Sequence, residues 1–438
     1  MIINFHVYIC SVINTNLKKV NHFNPLLTIL IAFLLFQSCS KHDNNHPSKQ
    51  DSSNVISIEQ AIDDAVYLRS MLFSDCTKSG NNISVDNIQI IGNSLTKGQN
   101  TNDTLLYVIN FADSAGYVVL PADKRIQTPF AVTESGSYVI NSPALTHADS
   151  VNKFFIEAIA PNVALSILSD VTDSKTIKDA GFTIKKIIEH KLRTAWGQNN
   201  QYFEGTGYKH SGCVATALAQ IFTYYNDVLE PLYISGNYIN FQNLLSESRK
   251  NGKGTLNNHS NPESREDVAS LQLWIGQSSD AKYTPDGTPI SSKKALKFAK
   301  SIGYETAPDM YNYDVERIYS GLQEGKITYM TGSDKAKYFI FENWSWPVGG
   351  HAWIVDGYAE VSKGNNNHKL VHVNWGWGGY GNGYYYDGIF YAVNGIVADS
   401  GEIIKMPSVI SLTKGNDDGN YCFFLEMSHV FPLKWKNN

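Results

Sequence analysis

Cys213 has the surroundings that most favour covalent chemistry in this sequence. It follows Gly212 and opens a segment whose apolar residues recur at helical spacing as far as Tyr225. This spacing predicts an α-helix that begins at Cys213. The unpaired N–H groups and the positive dipole end at a helix N-terminus favour a thiolate, the form of cysteine that attacks carbonyl carbons. The alternative interpretation is a small structural cysteine, because free cysteines are often buried.

Two further residues carry groups that a cysteine nucleophile needs. The side-chain amide of Gln198, upstream of Cys213, can donate a hydrogen bond to an oxyanion beside the N–H of Cys213. His351 follows two glycines, of which Gly350 is the second, and opens the apolar run 352–355. A base at the mouth of a buried strand can reach a helix N-terminus that packs against it. Considered alone, Gln198 could be an ordinary surface glutamine and His351 an ordinary core histidine.

The segment 371–379, VHVNWGWGG, predicts a strand that runs into a glycine-rich aromatic loop. The side-chain carbonyl of Asn374 can accept a hydrogen bond from the far ring nitrogen of His351 and fix its tautomer. Trp375 can cover that bond from water. His372, on the same strand, is a competing base, but the glycines before His351 favour the latter. The alternative is an aromatic loop that only packs, or one that stacks on sugars.

The order of these residues along the chain resembles that of papain-like proteases. Three segments, GCVATALAQI from Gly212, GGHAWIVDGY from Gly349 and HVNWGWGG from His372, resemble the signature segments of the streptopain family of cysteine proteases. The segments LLYVINF and GYVVLPADKR, earlier in the chain, resemble the propeptide domain of that family. The resemblance covers most of residues 190–390 and, with the propeptide, nearly all of the chain after its first 39 residues.

The resemblance implies a role for each matched residue. Cys213 would be the nucleophile, His351 the general base and acid, and Gln198 the oxyanion donor. Asn374 and Trp375 would orient and shield His351. The further candidates for the substrate cleft are Gly212, Gly350 and Trp377. The chain departs from the family in the segment NNQYFE after Gln198 and in an insert, SKGNNNHK, before the strand of Asn374, and both departures concern the substrate site more than the catalytic groups.

Two packed layers must bring these residues together. The fold expected for residues 190–438, the C-terminal domain, is the α+β fold of a papain-like protease. A helical lobe that bears Cys213 would pack on a twisted antiparallel sheet that bears His351 and Asn374, with the site in the cleft between them. Substrates would be proteins or peptides, and the expected activity is that of a cysteine endopeptidase.

Residues 55–170, the N-terminal domain, predict a small α+β domain without a cluster of catalytic residue types. Its predicted elements are helices at Ile58–Val66 and Val151–Ile159 and strands at Leu105–Phe111 and Tyr117–Leu120. Residues 171–189 carry four lysines and are interpreted as an exposed activation linker. The N-terminal domain would then inhibit the protease domain until the linker is cut, which makes the chain a zymogen.

The first 39 residues read as a targeting segment. Lys18 and Lys19 precede the apolar run Leu26–Phe36, which has the length of a signal-peptide core and is too short to span a bilayer. The run ends at Ser38-Cys39, which resembles the lipobox of bacterial lipoproteins and makes Cys39 the candidate for lipid attachment. Residues 40–54 are polar and predict a flexible tether. The precursor is expected to be exported and held at the outer membrane or cell surface by lipid, with extracellular release after maturation.

The five cysteines do not predict a disulfide framework. Loss of Cys10 with the signal peptide and lipidation of Cys39 leave Cys76, Cys213 and Cys422, an odd number that indicates a free thiol. The net charge of −5, without a long basic run, argues against nucleic acid as a partner. No cofactor or metal site is indicated, since the helically spaced pair His42 and His46 lies in the polar tether.

The sequence therefore predicts a secreted cysteine endopeptidase with a Cys213–His351 pair. Two other functions stay open. One is a catalytically silent papain-like protein that binds glycans or proteins. The joint presence of four residues argues against it: Gln198, Cys213, His351 and Asn374. The other makes the N-terminal domain a separate inhibitor of other proteases.

Overall fold

The computed structural model describes residues 54–73, 84–92, 104–138, 163, 181–250, 252–285, 287–338, 345–387, 396–397, 403–404 and 423–433. All of these described residues belong to one compact unit. No helix within the described ranges combines the length and the apolar character needed to cross a bilayer. The signal peptide with Cys39 and the predicted helix at Val151–Ile159 lie outside the described residues.

The N-terminal domain begins with helix α1, Ile58–Leu72. The Ser57 hydroxyl accepts a hydrogen bond from the Gln60 N–H at 3.2 Å and so caps the first turn. Four strands follow: β1 Val85–Gly92, β2 Thr104–Phe111, β3 Tyr117–Pro121 and β4 Ala131–Thr133. The first helix and the two strands predicted from periodicity are therefore confirmed.

The C-terminal domain combines helices with a long-stranded sheet. Its helices are α2 Cys213–Tyr224, α3 Phe241–Lys250, α4 Pro262–Ser278, α5 Ser292–Ser301 and α6 Val315–Gln323. Its strands are β5 Phe182–Ile188, β6 Tyr233–Ile234, β7 Asn237–Tyr238, β8 Tyr304–Glu305, β9 Tyr311–Asn312, β10 Ile327–Tyr338, β11 Ser345–Lys363, β12 Asn366–Asn374, β13 Gly383–Tyr386, β14 Ile396–Val397, β15 Ile403–Ile404 and β16 Phe423–Pro432. The first of these strands lies just before residue 190 and is assigned to this domain by its pairing.

One antiparallel sheet runs through both domains. In the part of the chain that the structure describes, it has 12 strands in the order β1-β2-β3-β4-β13-β12-β11-β10-β16-β8, with β5 also on β11 and β9 also on β16. The domains join where β4 pairs with β13, with Thr133 opposite Gly383 and Ala131 opposite Tyr385. The predicted N-terminal and C-terminal domains therefore share backbone hydrogen bonds as well as side-chain contacts.

The two faces of β11 carry different layers. Ala352 and Ile354 pack in an apolar cluster with helices α2, α4 and α5. Trp353 and Val355 pack in a second cluster with α1, α6 and the strands of the N-terminal domain. The alternation follows from the pleat of a strand, in which successive side chains point to opposite faces. The result is the predicted α+β class, a helical layer on an antiparallel sheet.

Residues 182–188 differ from the predicted exposed linker. They form β5, which pairs with β11 so that Ile188 lies opposite Tyr358 and Phe182 opposite Lys363. The linker interpretation rested on the four lysines of residues 171–189, of which Lys185 and Lys186 lie in this strand. Both lysines are exposed on the strand, so the charges mark a solvated strand and not an unpaired segment.

Candidate active site

Helix α2 begins at Cys213 because the chain enters it through a conformation that favours glycine. Gly212 has φ +88° and ψ 145°. A Cβ at this position would lie 2.6 Å from the carbonyl oxygen of Thr288, well inside van der Waals contact. The ten residues Val214–Thr223 that follow are all buried. The predicted position of Cys213 at the first turn of a buried helix is therefore confirmed.

The Cys213 thiol lies beside the strand that carries His351. The backbone N–H groups of Ala352, the residue after His351, of Val214 and of Cys213 itself lie close enough to the thiol to favour its thiolate form. Burial nevertheless raises the pKa of the Cys213 thiol, and the three donors oppose this rise without cancelling it. The helix terminus alone predicted a lowered pKa for this thiol; in the folded chain desolvation outweighs the helix terminus, and the pKa is raised instead.

His351 is held by the backbone of the aromatic loop, residues 375–382. Its side chain is buried, and Nε2 lies 2.8 Å from the carbonyl oxygen of Trp375. Because a carbonyl only accepts, Nε2 carries a proton, and Nδ1 is the basic nitrogen of the neutral ring. The ring centres of Trp377 and Trp375 lie 5.2 and 6.4 Å from that of the imidazole. Trp377 is thus the nearer of two indoles that cover His351.

Asn374 makes other hydrogen bonds than the one predicted to His351. Its Nδ2 donates to the Thr194 carbonyl at 2.8 Å and to Gln220 Oε1 at 3.2 Å, and its Oδ1 accepts from the Gly376 N–H at 3.2 Å. The carbonyl oriented at His351 belongs to the next residue, Trp375. Asn374 therefore fixes the point where β12 enters the aromatic loop, and with it the position of that carbonyl.

A backbone hydrogen bond places Gln198 near the start of α2. Its carbonyl accepts from the Ser211 N–H at 3.0 Å, two residues before Cys213. The Gly378 N–H donates to the Trp196 carbonyl at 3.2 Å, which joins the same segment to the aromatic loop. The Gln198 side chain is half-buried. The predicted oxyanion donor and the predicted nucleophile thus lie on adjoining segments.

Gly350 is one of the residues predicted to line the substrate cleft. Gly350 is exposed although its neighbour His351 is buried, and a Cβ at Gly350 would have no closer neighbour among the described residues than the Gly332 carbonyl oxygen at 3.8 Å. Among the described residues, little therefore packs against Gly350 beside His351. His372, the competing base, has its ring 6.3 Å from that of Phe73 and hydrogen-bonded to Asp356, so it faces the N-terminal domain.

Gln220 is a functional candidate that the sequence reasoning missed. It lies on α2, fully buried, and its Oε1 accepts from the Trp196 N–H at 2.9 Å as well as from Asn374. One side chain thus ties the segment of Gln198 and the junction of the aromatic loop to the helix of Cys213. A glutamine within an otherwise apolar helical segment is the signal that points to it.

Comparison with known proteins bears on the same residues. The model of the peptidase C10 family matches residues 196–385, which include Gln198, Cys213, His351 and Asn374. Streptopain from Streptococcus pyogenes is 26% identical over 367 residues, which cover 75% of this chain and 83% of streptopain. Three quarters of this chain is more than residues 190–438 contain, so the similarity extends into the N-terminal domain. These similarities support the interpretation of this chain as a cysteine peptidase.

Two solved structures are also similar. A fragment of prointerpain A from Prevotella intermedia, a Cys-to-Ala mutant, is 21% identical with a TM-score of 0.43, and the match covers 79% of this chain and 98% of that one. Active interpain A cysteine protease from the same organism is 21% identical with a TM-score of 0.35, over 56% of this chain and 95% of that one.

Proposed function

We propose that this chain is the zymogen of a secreted cysteine endopeptidase with Cys213 as nucleophile and His351 as general base and acid. The observation that carries the proposal is that α2 packs against β11 at the point where the two elements carry Cys213 and His351. The backbone N–H of Ala352, next to His351, lies close enough to the Cys213 thiol to favour its thiolate form, while the Trp375 carbonyl accepts from Nε2 of His351. The family match and the similarity to streptopain support the same reaction class.

In the proposed reaction Cys213 attacks a peptide carbonyl carbon and its proton passes to Nδ1 of His351. The N–H of Cys213 and the side-chain amide of Gln198 donate to the oxyanion. His351 then protonates the leaving amine, which departs and leaves a thioester on Cys213. Water, deprotonated by His351, hydrolyses the thioester and regenerates the thiol.

The N-terminal domain is proposed to hold the aromatic loop in place until proteolysis removes the domain. Its turn after β4 contacts this loop directly: Tyr380 donates through its hydroxyl to the Ser137 carbonyl at 2.6 Å, and the Gly381 N–H donates to the Ser135 carbonyl at 3.3 Å. The loop carries the acceptor for His351. Contacts that hold the loop therefore also influence the orientation of the proposed base.

Export and anchoring are proposed from the sequence alone. Cys39 would carry the lipid, so that cleavage within residues 171–189 would release the C-terminal domain from the membrane. In a cell fractionation, the mature domain of about 250 residues is expected in the soluble fraction. Its retention with membranes after processing would contradict release.

The intact mass of the precursor without residues 1–39, followed with time, tests the proposed activity. Wild type is expected to shorten to the C-terminal domain and to bind a thiol-directed epoxide at Cys213, while Cys213→Ala stays full length. If neither protein is cut, even after a trace of trypsin, and Cys213 reacts no faster than a free thiol, the proposal is wrong. A catalytically silent binding protein would then be the better interpretation.

A further inference from the structure

A cluster of three side chains joins segments that lie far apart in the chain. Glu134 follows β4 in the N-terminal domain, His190 begins the C-terminal domain, and His372 lies in β12. Each offers one ligand atom, and the three atoms lie within 4.8 Å of one another. The rings of His190 and His372 stack with centres 4.6 Å apart. No metal site was expected from the sequence, because only the folded sheet brings the three together.

The buried imidazole of His372 has one nitrogen that is hydrogen-bonded and one that has no hydrogen-bond partner among the described residues. Its Nδ1 lies 2.6 Å from Asp356 Oδ1, and both side chains are almost completely buried, at 2% and 1% exposure. Its Nε2 is buried and has no hydrogen-bond partner among the described residues. A buried polar atom without a partner is costly, and in a native protein it calls for an explanation such as a water or an ion.

Asp356 is fixed in turn by the backbone of the His190 segment. Its Oδ2 accepts from the N–H groups of Lys191 and Leu192 at 3.0 and 2.8 Å. A carboxylate that holds one ring nitrogen of a histidine, while the other nitrogen points into a site, is the usual arrangement behind a metal-ligating histidine. The carboxylate fixes the tautomer and increases the basicity of the ligating nitrogen.

The approach of His190 to His372 depends on a glycine in β11. A Cβ at Gly357 would lie 2.8 Å from His372 Cβ and 3.1 Å from the His190 backbone. The pairing of β11 with β12 shifts register between Val355 and Gly357. The bulge and the absent side chain together let the His190 segment lie against the strand, so the cluster is built into the sheet.

We propose that Glu134, His190 and His372 bind one divalent transition-metal ion of the zinc type in the intact precursor. Two imidazoles and one carboxylate form a ligand set typical of zinc, with an open fourth position. Ligand atoms that share one zinc ion lie about 4 Å apart or less, so the three ligand atoms approach one another slightly when the ion binds. The ion joins the N-terminal domain to the C-terminal domain.

The consequence for maturation rests on the proposed function. Glu134 belongs to the segment that cleavage would remove, whereas His190 and His372 stay with the protease. The ion therefore stabilises the uncleaved chain and slows the departure of the N-terminal domain. Zinc binding itself is independent of whether the chain is a peptidase, so the two ideas can fail separately.

Zinc binding is measured on the full-length Cys213→Ala precursor, which lacks the active-site thiol as a competing ligand. After treatment with chelator and titration with zinc chloride, bound zinc is counted by elemental mass spectrometry. We expect one ion whose affinity falls at least tenfold in Glu134→Gln and in His190→Gln, made in the same background. His259→Gln, at an exposed histidine, is the matched control and should bind as the parent does. Equal affinity in all four proteins, or no zinc in the parent, overturns the site.

X-ray absorption of the zinc-loaded Cys213→Ala precursor gives a second measurement that needs no ligand variant. We expect nitrogen and oxygen neighbours at about 2.0–2.1 Å and the outer-shell signal of imidazoles. A sulfur neighbour at about 2.3 Å would place the ion on a cysteine and overturn the proposal. This measurement decides the matter even if Glu134→Gln or His190→Gln fails to fold.

The maturation consequence is measured in the chain with Cys213 present. Zinc is expected to slow conversion of the precursor and chelator to speed it, and Glu134→Gln should be much less sensitive to both. Zinc can also inhibit a cysteine peptidase at Cys213 itself, and that inhibition would persist in Glu134→Gln. Equal zinc sensitivity of the two chains would therefore refute the role in maturation.

Discussion

At Cys213, two effects of opposite sign act on one thiol. The helix terminus and three backbone N–H donors favour the thiolate, whereas burial favours the neutral thiol and prevails, so the pKa is raised. An activated cysteine peptidase needs the opposite balance. A raised thiol pKa in the folded precursor is consistent with a latent enzyme, and the Cys213 side chain itself is partly exposed.

The raised pKa predicts slow alkylation of Cys213 in the precursor. A thiol with a raised pKa forms its thiolate only at higher pH, so the rate of reaction with iodoacetamide should climb at a higher pH than for an ordinary thiol of pKa about 8.5. The measurement uses a His351→Ala precursor, which cannot process itself, with Cys213 followed by peptide mapping. The same chain unfolded in urea is the reference, and a midpoint at or below the unfolded value would contradict the structure.

We predict that Gln220 positions the active-site segments without contacting the substrate. Gln220→Ala leaves the Trp196 N–H and the Asn374 amide without this acceptor, so the free energy of unfolding should fall by about 1–3 kcal/mol. Loosening of the segments of Gln198 and Trp375 should lower kcat by about 10- to 100-fold. Thr223→Val is the control, because Thr223 lies buried on the same helix and its hydroxyl donates to the Ala219 carbonyl at 2.9 Å. A normal kcat in Gln220→Ala would show that Gln220 does not position the active site.

At the scale of elements, the entry to α2 decides where Cys213 lies. Gly212→Ala combines a left-handed φ with a contact of 2.6 Å to the Thr288 carbonyl, so we expect a loss of stability of about 2–4 kcal/mol. Gly205→Ala has a similar φ of +79° but no atom within 4 Å of the added Cβ, so its loss should be about 1 kcal/mol. Chemical unfolding in the Cys213→Ala background compares the two. Equal losses would show that the close contact relaxes freely.

A buried ion pair links helix α1 to β11. Lys363 Nζ lies 2.8 Å from Asp64 Oδ2, with both side chains less than a tenth exposed. Asp64→Asn leaves the lysine charge buried without its carboxylate, which costs about 3–5 kcal/mol, and the N-terminal domain should then separate sooner. The conversion rate of the precursor should rise, whereas Asp63→Asn, at the exposed neighbouring aspartate, should convert at the wild-type rate. Similar rates for both variants would mean that the ion pair does not hold the domain.

At the scale of the whole molecule, the shared sheet predicts that a cut precursor stays together. Within the predicted linker, residues 182–188 are hydrogen-bonded to β11, so we expect the cut before Phe182. After such a cut in Cys213→Ala, the β4–β13 pairing and the apolar cluster common to both domains remain. The two fragments should elute together in gel filtration and separate in urea. Separate elution in native buffer would show that the covalent link held the domains together.

The sequence by itself determined the local elements and the chemical types of the site. Helix α2 was predictable because its buried face repeats every 3.6 residues, and β2 and β3 because short β-rich runs are bounded by turn residues. Cys213, His351 and Gln198 were singled out because their side chains have reactive chemistry and their segments resemble known signatures. In each case the information lies within a few neighbouring residues.

Only the tertiary structure decided which groups meet. The acceptor for His351 is a backbone carbonyl, which every residue possesses and no sequence pattern marks. Strand β5 was hidden because its pairing partner lies more than 150 residues away, and Glu134, His190 and His372 become neighbours only when the sheet closes across both domains. Local periodicity records which face of an element is buried, but not which distant segment covers it. Partner choice depends on register, close approach at residues such as Gly357, and desolvation, and these arise only in the packed chain.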